Sequence, residues 1–160
     1  MDIHPNKLIL SSASPRRAEL LERMGLHFQI HPTNVLEDDS GLKGPIEMVE
    51  NNARLKASTL SIKIPDALIL GSDTTVAIDG TIFSKPNDME EAKQMLMYLS
   101  GRVHSVFTSV ALYWKSGNLK NVFTERSEVY FKTLKRETIE HYIGLVNPLD
   151  KAGAYGIQEG

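Results

Sequence analysis

At 160 residues with 41% hydrophobic content, the chain can bury one substantial core, and nothing in its length calls for a second domain, so a single domain over 1–160 is expected. A formal charge of -2 argues against the basic face that nucleic-acid capture needs, and the lack of cysteine excludes disulfides, thiolate metal sites and a cysteine nucleophile. Met1–Lys7 holds no apolar run of signal-peptide length and no later stretch approaches a membrane span, which reads as a soluble cytoplasmic chain with a small-molecule partner rather than nucleic acid or a membrane.

Leu8 to Leu10 forms a short apolar strand, and Ser11-Ser-Ala-Ser14 leads from it into a helix opening with Pro15, Arg16 and Arg17. Ser14 can cap, Pro15 suits the first helical position, and the first-turn N–H groups face whatever the serines face, so this junction is suited to an anion. The helix runs to about Met24, with Leu20, Leu21 and Met24 on one face and Gly25 ending it. Phe28 to Ile30 reads as a second strand and the acidic stretch Thr33 to Gly44 as a loop. Pro45 starts a longer helix in which Ile46, Val49, Ala53, Ala57 and Leu60 recur at helical spacing, on a stripe that also carries Lys56.

Ala67 to Leu70 is a buried-strand pattern, with Gly71-Ser-Asp-Thr74 placing the Asp73 carboxylate at its exit. Val76 to Phe83 holds the hairpin signal Asp79-Gly80, and Ser84-Lys-Pro86 closes the unit. Asp88 and Glu91 form a capping-box pattern ahead of a helix with Met89, Ala92, Leu96 and Leu99 on one side. Val103 to Trp114 and Val122 to Phe131 pair as antiparallel strands across the turn Lys115–Asn118, Lys135 to Ile143 is a short helix, and Asp150-Lys-Ala-Gly-Ala-Tyr-Gly-Ile-Gln158 closes the chain. This order predicts an α/β fold: a mixed, twisted sheet flanked by helices.

A triphosphate site needs cations for the phosphates, carboxylates for a divalent metal and a group that orients or deprotonates water. Arg16 and Arg17 differ by about 100° around the helix, so they are expected to take different tasks. Lys56 on an apolar stripe either snorkels to water or aims into a cleft. Lys85 leaves a hairpin, where a solvated turn residue is the plain alternative. Asp73 sits where α/β sheets place ligands, and one of Glu37, Asp38 and Asp39 can hold metal. His4, His27, His31, His104 and His141 show no metal-ligand spacing, and there is no Walker A pattern, nucleophile elbow or Gly-x-Gly-x-x-Gly.

Six ordered pieces, Ser12-Ala-Ser-Pro-Arg-Arg17, Asn52-Ala-Arg-Leu-Lys-Ala57, Gly71-Ser-Asp-Thr74, Ser84-Lys-Pro86, Leu99-Ser-Gly-Arg102 and Asp150 to Gln158, together resemble the Maf family of nucleoside triphosphate pyrophosphatases. The resemblance implies a fold related to the inosine triphosphate pyrophosphatases and a house-cleaning hydrolase that cuts between the α and β phosphates, releasing monophosphate and pyrophosphate with a divalent metal, Mg2+ or Mn2+. Carried over by residue, it makes Asp73 the proton acceptor, gives Ser12, Arg17, Lys56 and Lys85 phosphate-contacting and catalytic roles, and matches Glu37 to the acidic loop residue, a metal ligand alongside Asp73. Arg16, Thr74 and Gln158 fall on substrate-choice positions, and Thr74 with the closing loop looks like the subgroup acting on dTTP and UTP. Whether Asp73 serves as base, metal ligand or both stays open. Ser84 replaces the Gly of many relatives, and Glu159-Gly160 ends the chain where relatives continue, so the domain is expected to lack the family's final strand and helix. A homodimer is compatible with the resemblance. Because Maf proteins are associated with septum formation, the alternative is a nucleotide-binding regulator of cell division that needs no turnover.

Overall fold

The computed structural model describes residues 4–158; residues 159–160, on which the expected departure at the end of the chain falls, and the first three residues lie outside the described residues. Five strands lie in the order β2-β1-β3-β5-β6, with β4 paired to β3: β1 is Leu8–Leu10, β2 Phe28–Ile30, β3 Leu68–Ile78, β4 Thr81–Phe83, β5 Val103–Trp114 and β6 Leu119–Tyr130. The helices are α1 (Pro15–Arg23), α2 (Pro45–Lys63), α3 (Met89–Leu99) and α4 (Arg136–Leu145), and two short 3-10 turns follow at Pro148–Asp150 and Ala152–Ala154. β1 runs parallel to both β2 and β3, while β3 and β4 are antiparallel, so the expected α/β class with a mixed sheet is found. Among the described residues no helix is long and apolar enough to cross a membrane.

The chain forms two compact units, one reaching to Asp73 and including Thr108–Glu125, the other comprising Thr74–Phe107 and the segment from Arg126 onward. In the first, successive strand residues alternate faces. Ile9 and Ile69 pack with Ala53, Ala57 and Leu60 of α2, whereas Leu10 and Leu70 pack with Ala18 and Leu21 of α1. The two helices therefore cover opposite faces of the parallel strands. β3 meets α2 at Gly71, where an added Cβ would lie 2.4 Å from the Ala53 carbonyl oxygen and 2.7 Å from the Ala57 nitrogen. In the second unit, Ala92, Met95 and Leu96 of α3 pack on Ile139 and Ile143 of α4, and Val76, Ile78 and Leu99 form a neighbouring cluster with Phe83 and Tyr155.

Four sequence expectations are corrected. Asp73 does not sit at a strand exit, because β3 continues to Ile78, carried on by Thr74, Thr75 and Val76, whose branched side chains favour extended backbone. Ser14 occupies the N-cap position of α1 but its side chain makes no capping bond; its own N–H is taken by the Ser12 hydroxyl at 3.2 Å. Ile46 and Met89, in the opening turns of α2 and α3, are exposed. The Asp88 carboxylate caps α3 by accepting the Glu91 N–H at 2.8 Å, while Glu91 reaches the Asn87 N–H instead of closing the box on Asp88.

Candidate active site

Lys56 is 7% exposed, so its ammonium does not snorkel to water. Its Nζ lies 3.0 Å from Asp73 Oδ1 and 2.6 Å from Glu37 Oε2, and it donates to the Ser72 carbonyl at 3.2 Å. One buried cation thus holds two carboxylates drawn from a strand and a loop. An ion pair this buried persists where hydrogen bonds satisfy the remaining lone pairs, because desolvation otherwise exceeds the attraction. Asn52 supplies that bond. One turn before Lys56 on α2 and 1% exposed, it donates from Nδ2 to Asp73 Oδ2 at 2.9 Å. The same amide brackets the acidic loop: Nδ2 donates to the Asp38 carbonyl at 3.0 Å and Oδ1 accepts the Asp38 N–H at 2.9 Å. The Asp38 backbone is thereby tied to α2, and its carboxyl is held below the ordinary carboxylate range by bonds from the Ser40 hydroxyl and N–H.

At the opening of α1, the Arg17 guanidinium donates to Ser12 Oγ at 2.9 Å. Burial lowers the Arg17 pKa, opposed by the charges of Asp73 and Glu37, so this arginine shares the electrostatic field of the Lys56 cluster. It stays cationic, as guanidinium groups in proteins do. Ser11, just after β1, ties α2 to the loop after β2: its hydroxyl donates to the Lys56 carbonyl at 3.1 Å and lies 3.0 Å from Thr33 Oγ1. Arg16 is half-buried beside Arg17.

The first unit therefore gathers Ser12, Arg17, Glu37, Lys56 and Asp73. Thr74, Lys85 and Gln158 belong to the second unit, where Thr74 is half-buried on β3, Lys85 is exposed after β4, and Gln158 is exposed beyond the 3-10 turns. Asn52 and Ser11 were not singled out from sequence. The available signal for Asn52 is its placement four residues before Lys56, which puts two polar side chains beside the apolar stripe of α2.

Residues 7–160 match the family model described as Maf-like protein. The chain belongs to the Maf family. Similar proteins include the dTTP/UTP pyrophosphatase of Moorella thermoacetica, 44% identical over 153 residues, which are 96% of this chain and 79% of that one. The dTTP/UTP pyrophosphatase of Symbiobacterium thermophilum is 45% identical over 152 residues, 95% of this chain and 77% of its own. Among solved structures, the Staphylococcus aureus Ham1 protein superposes with a TM-score of 0.52 at 11% identity, covering 77% of this chain and 70% of Ham1, a likeness of fold alone.

Proposed function

We propose that this Maf protein is a nucleoside triphosphate pyrophosphatase acting on dTTP and UTP, adding water across the α–β phosphoanhydride to release monophosphate and pyrophosphate. The observation that carries the reading is the buried Lys56 ammonium between Asp73 and Glu37, in the field of the Ser12–Arg17 pair at a helix N-terminus. Such a constellation presents positive charge and backbone N–H groups to a polyanion while keeping a carboxylate at hand for a proton. The names of its similar relatives support the same substrates.

Two carboxylates meeting at one point fit a hard divalent cation that takes one or two protein oxygens and completes its shell with water and substrate phosphate. Among the described residues no group of three or more His, Asp or Glu is arranged to hold a metal, so a closed protein cage does not fit. Glu37 and Asp73 would hold the ion, which we take to be Mg2+; when bound it supplies charge neutralisation at the phosphate oxygens. Asp73 orients the attacking water and accepts its proton, while Asn52 fixes the carboxylate plane. Lys56 and Arg17 offset the charge that builds on the bridging oxygen as the anhydride bond breaks. Ser12 holds Arg17 ready for phosphate. Lys85, Thr74 and Gln158 in the second unit and Arg16 in the first keep the roles that the family resemblance gives them, a phosphate contact for Lys85 and the choice of base for the other three, since groups that hydrogen-bond a pyrimidine edge reject bases that leave them unpaired.

The test is a screen of all nucleoside triphosphates with Mg2+ and Mn2+, run on the wild type and on Asp73→Asn. The expected result is pyrophosphate release greatest with dTTP and UTP, lost without divalent cation, and reduced by about 10²–10⁴-fold in the variant while nucleotide still binds. Unchanged turnover in Asp73→Asn defeats the assignment of the proton acceptor.

A further inference from the structure

The closing loop is held in a conformation that Gly153 accommodates and Ala154 resists. Gly153 and Ala154 both adopt left-handed backbone, with φ of 68° and 66°, and Ala154 carries a Cβ into that region while wholly buried. At Gly153 a Cβ would lie 3.0 Å from Val76 Cγ2. Conformations of this kind persist where surrounding contacts over-determine them. Three contacts do so. The Gly153 N–H donates to the Ser84 carbonyl at 3.2 Å, immediately before Lys85; the Gly156 N–H donates to the Tyr142 hydroxyl at 3.0 Å; and the Tyr155 hydroxyl lies 2.7 Å from His104 Nε2.

The last contact differs from the other two. His104 is 2% exposed and boxed by the edges of Phe131 and Tyr155, with ring centroids at 4.9 and 5.5 Å. Its Nδ1 has no hydrogen-bond partner among the described residues, so Tyr155 is the single bond that this imidazole makes there. Burial lowers the His104 pKa and raises that of Tyr155, which keeps the imidazole neutral and the phenol protonated, the states in which the two can bond. A buried polar group with one partner enforces that partner's position, because losing it leaves the group unsatisfied.

We infer that His104 is a positioning residue for the reaction: through Tyr155 it locks the 151–157 loop in its left-handed form, and so sets the place of Gln158 at the loop's end and of the Ser84–Lys85 segment to which Gly153 is bonded. The inference rests on the reading of Gln158 as a base contact and Lys85 as a phosphate contact. It assigns His104 no part in the proton transfer.

Tyr155→Phe tests it with the removal of one oxygen, keeping the ring against Phe131. The expected result is a KM for dTTP about three- to tenfold higher, the scale of one ordinary hydrogen bond, with kcat within about twofold. His104→Leu gives the same change, and the double variant is no worse than either single one, because both remove one interaction. Amide exchange over 151–157 becomes faster by a similar factor, while exchange in β1 and α1 is unchanged. A purely structural role would lower the active fraction, hence the apparent kcat, and leave KM alone. Unchanged KM in Tyr155→Phe, additive losses in the double variant, or unaltered exchange over 151–157 overturns the inference. Failure of the wild type to release pyrophosphate defeats the functional reading, while the exchange measurement still decides the anchor.

Discussion

Asn52 carries more of the site than its neutrality suggests. Its amide makes three bonds, one to the Asp73 carboxylate and two to the Asp38 backbone, and the second pair fixes the loop that delivers Glu37 to Lys56. Removing it leaves a buried carboxylate oxygen without its donor and frees the loop. Asn52→Ala is expected to lower kcat/KM by about 10–100-fold, as supporting shells around such sites do, and to reduce unfolding free energy by about 1–3 kcal/mol in urea titration. Lys56→Ala is harsher, leaving the buried Asp73 carboxylate without its cation beside the half-buried Glu37, at a cost of about 3–5 kcal/mol by the same measurement. Lys56, Asp73 and Glu37 were legible as candidates from residue type and resemblance. Their mutual pairing was not, because a stripe position tells which face a lysine occupies and nothing of what loop covers it.

At the level of elements, periodicity read α2 well: Val49, Ala53, Ala57 and Leu60 are all buried, as their spacing requires. Ile46 and Met89 fit the same patterns yet are exposed, since spacing identifies a side of a helix and not how far the neighbouring element extends along it. Gly71-Ser-Asp-Thr74 reads from sequence as the exit of a strand that ends at Leu70, but pairing of Asp73 with Lys56 and Asn52 permits burial of the carboxylate in a continuing strand. The close approach of β3 to α2 at Gly71 is what brings the Lys56 ammonium within reach of both the Ser72 carbonyl and Asp73. Gly71→Ala therefore forces the two elements apart. A loss of about 2–3 kcal/mol in denaturant unfolding is expected, accompanied by a fall in kcat; full stability in this variant would contradict the packing described.

For the molecule as a whole, the buried His104 ties stability to pH. Burial lowers its pKa below the ordinary value of 6.5, so between the depressed value and 6.5 the unfolded chain binds the proton that the folded chain refuses. Unfolding free energy then rises with pH across that window, is fully present above it, and is lost as pH falls through it. The urea midpoint of the wild type should drop as pH is lowered from 7, and the drop should be smaller in His104→Leu; equal pH dependence in the two proteins would show that another group carries the effect.

The proposed role of the Lys56–Asp73–Glu37 cluster is cleavage between the α and β phosphates. Phosphorus-31 NMR of dTTP incubated with the protein and Mg2+ tests it most directly, since the products of the two anhydride cleavages have separate resonances. The expected result is a pyrophosphate signal that grows at twice the rate of the dTMP signal, since pyrophosphate carries two equivalent phosphorus atoms; growth of dTDP and orthophosphate instead would contradict it.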